Sequence, residues 1–250
     1  MIRGIYTSAA GMMTEIVRQE TITNNLANSE TAGFKKDLAL QRSRTDAPLV
    51  RVSAGRPQPD KRVIGSLDRA ALINSIHTRH SQGALLKTDS PLDFALVGSG
   101  YFTVETEEGV RYTRNGAFTL DAERCLVTEN GNRVLGINGY IILPEGDISV
   151  DGGGEIYGNG IMVEQLRLAD FADPQLLIKE QNNLFAAGNA EVEAFTGRVM
   201  QGWLEGSNVD VQEEIVDMMT ALRSYQASQR VLQAQDELLQ KAANEVGALR

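Results

Sequence analysis

Apolar residues recur at spacings of three and four at both ends of this chain. Near the C-terminus the positions are Val211, Ile215, Met218, Leu222, Tyr225, Gln229, Leu232, Asp236, Leu239, Ala243 and Val246. Near the N-terminus the same rhythm gives Ile5, Ala9, Met12, Ile16, Gln19, Thr23 and Leu26. A 3-4 alternation sets these side chains on one narrow stripe of an α-helix, the geometry of a coiled-coil seam. Neither helix can bury its own stripe. The pattern therefore predicts an α+β chain whose terminal helices pair as a coiled coil, with the middle of the sequence as a mostly antiparallel β insertion.

The punctuation supports that division. The first helix is expected from about residue 3 to Asn28 and ends before Gly33, which accepts the positive φ of a helix exit. Residues 35 to 62 hold eight Lys/Arg, three Asp and three of the six prolines, and read as a basic extended arm. From Phe94 onward short apolar runs such as Phe94–Val97, Tyr101–Val104, Tyr140–Leu143 and Leu184–Ala187 alternate with turn residues. Asn-Gly pairs begin at 115, 130, 138 and 159, and both residues of such a pair suit a type I′ hairpin turn. Before the last helix Asp210 can cap the free N–H groups, with Glu213 three residues on as in a capping box. The expected organisation is 1–34 for the N-terminal helix, 35–80 for the arm, 81–204 for the β-rich domain and 205–250 for the C-terminal helix.

Charge adds an asymmetry. Residues 1 to 62 carry ten Lys/Arg against six Asp/Glu, whereas the remainder carries fourteen against twenty-seven. Copies could attract head to body, or both regions could simply be well solvated. The acidic body argues against a nucleic acid partner, which needs a positive surface. With one cysteine, Cys125, no internal disulfide can form, so packing must hold the fold. No apolar run approaches the roughly 20 residues of a membrane span. The first residues, with Arg3, Glu15 and Arg18, read as an amphipathic helix rather than a secretory signal.

Catalytic chemistry is hard to find. His77 and His80 have no cysteine nearby and form at most two ligands, too few for a zinc site. No Gly-x-Ser-x-Gly elbow occurs, and the glycine-rich stretches Gly98-Ser99-Gly100 and Asp151-Gly152-Gly153-Gly154 lack the Lys-Ser/Thr of a phosphate loop. The expectation is no enzyme, no cofactor and no metal. Asn24, Asn25 and Asn28 need a reason in a helix, because asparagine is a poor helix former. They are either a fraying helix end or an amide face that hydrogen-bonds to a second helix layer.

The stretch Asn24-Asn25-Leu26-Ala27-Asn28, with Thr31 and Gly33-Phe34-Lys35-Lys36, resembles the N-terminal signature of the bacterial flagellar basal-body rod and hook proteins. Three further stretches agree: Ser81-Gln82-Gly83 leading to Pro91-Leu92-Asp93, Tyr112-Thr113-Arg114-Asn115-Gly116 with Phe118, and Gln201-Gly202 through Leu204-Glu205 to Ser207-Asn208-Val209. The resemblance implies a structural subunit of the flagellum that assembles with other copies and other axial proteins. It also implies passage through the flagellar export apparatus without a cleaved signal, and a place in the basal-body rod. The length suits a rod protein better than a hook protein. The stretch Leu204–Asn208 favours the proximal rod, with the distal rod second on the opening Met1-Ile2-Arg3. One departure stands out, because after Asp121 the family usually carries a glycine-bearing turn and this chain has Ala122-Glu123-Arg124-Cys125. A soluble binding module dimerised by its helices is the alternative reading, and a cell-wall hydrolase ranks last for want of a carboxylate pair in a cleft.

Overall fold

The computed structural model describes residues 2–52 and 61–247. Residues 53–60 of the basic arm, and the side chain of Val246, lie outside the described part. The chain divides into two compact units. The first contains Met1–Asn24, Asp37–His77 and Gln212–Arg250, and the second contains Asn25–Lys36 and Thr78–Val211.

In the first unit, helix α1 (Ile2–Ala27) packs antiparallel to helix α2 (Val211–Gly247). Glu213 and Glu214 sit in the first turn of α2, where carboxylates favour the positive end of the helix dipole. The register is legible in three facing pairs. Gly4 lies under the amide of Gln235, Gly11 faces the Ser228 hydroxyl, and the Arg18 guanidinium reaches Asp217 at 3.3 Å. From the first pair to the second, seven residues along α1 match seven residues back along α2, the heptad spacing expected of a coiled coil.

The close contacts in that seam are made by small and polar residues, although Ile22 on α1 and Ala221 on α2 are also buried. α1 presents Gly4, Gly11, Thr14 and Thr21, and α2 presents Ala221, Ser228 and Gln235. Small side chains let the backbones approach. The buried threonine hydroxyls cost little, since Thr14 donates to Ala10 O at 3.0 Å and Thr21 to Val17 O at 2.9 Å. Met218, Tyr225, Leu232 and Leu239 flank the seam half-buried, while Val211, Ile215, Met219 and Leu222 run exposed along α2 at spacings of four, four and three. On α1, Ile5 and Met12 are half-buried and Ile16 is exposed, roughly 100° or more around the helix from the Gly4–Gly11 line. The periodicity located the helices; the intrachain contact uses a neighbouring, smaller-residue face.

The same unit contains a two-stranded sheet of β1 (Asp37–Val52) and β2 (Lys61–Thr78). Leu38 and Leu40 on β1, with Leu72 and Ile76 on β2, are exposed. The basic arm is therefore a β-ribbon over its described residues, with Lys61–Thr78 as its second strand.

The second unit is antiparallel β. Its main sheet runs β14 (Ile178–Lys179), β15 (Leu184–Ala186), β6 (Gly109–Thr113), β5 (Tyr101–Thr106), β9 (Arg133–Val134), β8 (Leu126–Thr128), β7 (Phe118–Leu120), with β13 (Leu168–Phe171) also on β5 and β16 (Val192–Ala194) on β13. A separate sheet holds β10 (Ile148–Val150), β11 (Glu155–Gly158) and β12 (Ile161–Gln165). Two further pairs, β4 (Phe94–Val97) with β17 (Arg198–Gln201) and β3 (Leu85–Lys87) with β18 (Trp203–Glu205), join the start of the domain to its end. The core gathers Phe94, Leu96, Phe102, Phe118, Leu126 and Ile141, all buried, with Phe102 edge-on to Phe118 at 5.1 Å between centroids.

The asparagine-glycine pairs resolve into different devices. At Asn159-Gly160 both residues have positive φ, 52° and 80°, and the pair joins β11 to β12 as a type I′ turn requires. At 130 and 138 only the glycine has positive φ. Asn115-Gly116 serves a different need, because a Cβ on Gly116 would stand 1.7 Å from the Phe94 carbonyl oxygen. The run Tyr140–Leu143 is not a strand but forms isolated bridges at Tyr140 and Ile142. At Asp121 the missing glycine is replaced by strain and a side-chain clamp: Arg124 itself adopts φ 62°, and Asp121 Oδ1 accepts from Glu123 N at 3.0 Å and Cys125 N at 2.7 Å.

Phe102→Ala is expected to lower stability by about 3–5 kcal/mol through the cavity it leaves, whereas Ile161→Ala, at 73% exposure, should change it by less than about 0.5 kcal/mol. Urea unfolding of the two variants checks the contrast; equal losses would contradict the placement of the core.

Candidate functional site

The motif stretches that are far apart in the sequence converge on one buried carboxylate in the second unit. Glu205, at the end of β18, is 1% exposed, as is Lys35, and Arg114 is 3% exposed. Lys35 Nζ lies 2.5 Å from Glu205 Oε1, and Arg114 reaches Glu205 Oε2 at 3.1 Å. The backbone N–H of Gly83 donates to Glu205 Oε1 at 2.8 Å, and that of Gly33 donates to the Glu205 carbonyl at 2.7 Å. Residues from segments 33–36, 81–83, 114–116 and 204–208 thereby meet in one cluster.

The cations have further acceptors. Lys35 Nζ donates to Ser81 O at 2.9 Å, and Arg114 donates to Gly98 O at 2.7 Å while its guanidinium stacks 5.2 Å from the centre of the Tyr101 ring. Burial, only partly offset by the Glu205 charge, holds the Lys35 ammonium below its usual pKa of 10.5. Burial likewise pushes the Tyr101 phenol above its ordinary value, so it stays a neutral hydroxyl, hydrogen-bonded to His80 Nδ1 at 2.7 Å.

Asn208 closes the cluster. Its Oδ1 accepts from Lys36 N at 2.7 Å, and its Nδ2 donates to Arg79 O at 2.7 Å and Ser81 O at 3.0 Å. Gln82 bridges Leu96 O and Gly98 N. Lys179 donates to Lys35 O at 2.7 Å with its ammonium 4.0 Å from the centre of the buried Phe34 ring. Two glycines are required by close approach. Gly33 sits at φ 67° with Arg114 backbone 2.4 Å from where a Cβ would stand, and a Cβ on Gly83 would fall 2.1 Å from Gly206 O. The chain therefore enters and leaves the β-rich unit at adjacent points, with Asn208 N donating to Phe34 O at 3.3 Å.

The remaining motif residues have lesser parts. Asn25 is buried, Asn24 exposed, and Asn28 belongs to the turn after α1, accepting from the Thr31 hydroxyl at 3.2 Å. Leu26 is half-buried and Ala27 exposed. Ser207 Oγ accepts from Val209 N at 3.3 Å, and Val209 is half-buried. Sequence reading named Lys35, Arg114 and Glu205 inside motifs without giving them roles. The available signal was a lysine directly after a glycine-phenylalanine pair, a position that burial makes costly without an acid. Among the described residues no group of three or more His, Cys, Asp and Glu side chains could hold a metal ion. The cluster is a structural bracket: the Glu205 carboxylate and the Lys35 ammonium are held by partners inside it, while Arg114 Nε is buried without a hydrogen-bond acceptor.

Glu205→Gln should cost about 3–5 kcal/mol, because it strands two buried cations. Lys35→Met should cost less, since Glu205 keeps Arg114; chemical denaturation of both variants ranks them. Because folding lowers the Lys35 pKa, the unfolded chain binds that proton more tightly, so the contribution of Lys35 to stability rises as pH climbs from its folded pKa toward 10.5. In Glu205→Gln the Lys35 titration, followed by NMR at Nζ, should move lower still.

Comparison with known proteins agrees along the whole chain. Residues 5–35 match the model described as flagella basal body rod protein, residues 95–158 the flagellar hook protein FlgE/F/G D1 domain, and residues 200–245 the flagellar basal body rod FlgEFG protein C-terminal. The chain is 31% identical to the flagellar basal-body rod protein FlgG of Bacillus subtilis, covering 98% of this chain and 99% of that one. It is 31% identical to the flagellar hook-basal body complex protein FlhO of the same organism over 100% of both chains. To the flagellar basal-body rod protein FlgG of Agrobacterium fabrum it is 33% identical, over 95% of this chain and 97% of that one. The residues that build the Glu205 bracket lie in or between the matched segments, and the chain belongs to the flagellar basal-body rod and hook protein family, as an axial structural subunit.

Proposed function

We propose that this protein polymerises through its terminal helices, with other copies and other axial proteins, into the torque-transmitting rod of the flagellar basal body. It reaches that position through the flagellar export apparatus, without a cleaved signal peptide, and acts where the rod crosses the periplasm. Within the rod we favour the proximal segment on length and on the Leu204–Asn208 stretch, with the distal segment second.

The observation that carries this reading is the exposed stripe of Val211, Ile215, Met219 and Leu222. The intrachain seam of α1 and α2 has small residues at Gly4, Gly11, Ala221 and Ser228, and the apolar side chains of this stripe are left for a further helix to cover. Tyr6, Met13 and Ile16 are exposed on α1 in the same way. Covering such surface stabilises by about 25 cal/mol per Å² of apolar area removed from water, a term that adds up along a helical array. An array of this kind grows from heterologous contacts that do not close, so each copy needs complementary faces on opposite sides. A helix pair with one small-residue face turned inward and one apolar face turned outward meets that need.

Leu222→Asp tests the reading. At 41% exposure the site should tolerate a carboxylate in the free protein with less than about 0.5 kcal/mol of destabilisation, yet incorporation into rods should be lost because the charge would be buried without a partner. Thermal unfolding of the purified variant, with motility and basal-body preparation from cells carrying it, supplies both readouts. Normal rods would contradict the proposal.

A further inference from the structure

The Asn-Gly pairs at 115, 130, 138 and 159 differ in chemical reactivity as well as in turn type. In such a pair the glycine nitrogen can add to the asparagine side-chain carbon Cγ, because glycine carries no Cβ to obstruct the approach. Three features of the fold decide whether that happens: whether the glycine N–H is already hydrogen-bonded, whether the space around it is open, and whether the carboxamide can swing towards it. At three of the pairs the fold withholds at least one. Asn115 Oδ1 accepts from Ala117 N at 3.0 Å, and Gly116 is buried, with the Phe94 carbonyl oxygen 1.7 Å from where its Cβ would stand. Behind Asn130 the nitrogen is occupied, since the Gly131 N–H donates to Thr128 O at 2.9 Å. The Asn159 carboxamide is pinned: its Nδ2 donates to Glu145 O at 2.8 Å, and its Oδ1 lies 2.2 Å from where a Cβ on Gly146 would stand.

Asn138-Gly139 lacks these guards. The bend Gly136–Gly139 is closed in one direction only: Gly136 N–H donates to Gly139 O at 2.7 Å, whereas among the described residues nothing accepts from the Gly139 N–H, which in a closed turn would return to residue 136. Gly139 has φ 142°, and no atom lies within 4 Å of where its Cβ would stand. Asn138 is exposed. Its Nδ2 donates to Glu164 Oε1 at 3.0 Å, a surface bond that water can replace at little cost. We propose that Asn138-Gly139 is a self-modification site, at which the chain converts its own asparagine through a cyclic imide to aspartate and isoaspartate ahead of the other three pairs.

The Gly139 nitrogen gives its proton to hydroxide or another solvent base and forms a bond to Asn138 Cγ. The Cγ–Nδ2 bond then breaks, and the side-chain nitrogen leaves as ammonia with a proton from water. Water opens the imide at one carbonyl to give aspartate, or at the other to give isoaspartate, so the sum is one water consumed and one ammonia released with no change of oxidation state. Either product sets a carboxylate where an amide had donated to Glu164, and the bond becomes a like-charge contact. Isoaspartate also routes the main chain through the side chain, which lengthens it by one carbon and spoils the match of Gly136 N–H to Gly139 O. The bend presents Ile137 and Tyr140, exposed at 58% and 45%, with the Tyr140 hydroxyl donating to Glu105 at 2.6 Å. The modification therefore loosens an exposed apolar part of the β-rich unit and adds negative charge beside it.

The test follows full-length protein over time in mildly alkaline buffer, with peptide mapping by mass spectrometry and separate detection of isoaspartate. Position 138 should convert first, about fivefold or more ahead of Asn130, whose glycine must break a backbone hydrogen bond before it can react. In denaturant the four pairs should convert at similar rates, because the fold and not the dipeptide makes the difference. Asn138→Gln should abolish conversion at that position and leave the other three unchanged. A rate at 138 no faster than at 130 in the folded protein overturns the proposal, as does the same ranking persisting in denaturant. The structural consequence is read on Asn138→Asp, which chymotrypsin should cut after Tyr140 several-fold faster than the parent protein if the bend has loosened. Equal resistance of the two proteins would overturn that consequence.

Discussion

The architecture depends on how the β-rich unit is pinned shut at the place where the chain enters and leaves it. Glu205 holds Lys35 from the entering segment and Arg114 from the body, and its backbone carbonyl accepts from Gly33. A buried ion triplet of this kind is not a large net source of stability, because removing three charges from water offsets most of their attraction. Its value is positional. A carboxylate that must satisfy two cations and the N–H of Gly83 at once has few alternative arrangements, so segments more than a hundred residues apart in sequence are held in one register. The entry and exit points of the β-rich unit become neighbours.

That constraint divides the labour between the two units. The β-rich unit has its own apolar core around Phe94, Phe102 and Phe118 and does not need the helices to be buried. The helices pair through Gly4, Gly11, Ser228 and Gln235, a seam that allows close approach. Such a pair is ordered enough to present a face, yet it leaves Ile215, Met219 and Leu222 in water. A protein that must assemble only with the right neighbours benefits from keeping its strongest apolar surface for them.

Much of this was legible in the sequence. The 3-4 alternation gave both helices to within a residue or two, and the short apolar runs located β4, β5 and β15. The face of the helices used within the chain was not legible, because hydrophobicity alone marks which residues seek burial and not whether the partner is in the same molecule. Gly4 and Gly11 were the available signal, and they carry no weight in a hydrophobic pattern. The Asn-Gly pair at 115 was misread as a hairpin because glycine serves close approach as well as positive φ, and only the Phe94 carbonyl above Gly116 distinguishes the two. The role of Glu205 depends on three-dimensional convergence of segments whose spacing encodes nothing. Arg124 explains how this chain manages without a glycine after Asp121: it accepts the strained backbone and engages two carbonyl oxygens.

The central claim is that the helices pair through one face and keep the other for assembly. It is tested most directly by thiol labelling of Leu222→Cys and Ser228→Cys, in the free protein and again in isolated rods, with the native Cys125 buried and silent. The account requires the thiol at 222 to react rapidly in the free protein and to be shielded in the rod, and the thiol at 228 to be slow in both. Slow labelling at 222 before assembly, or unchanged rapid labelling after it, would contradict the account.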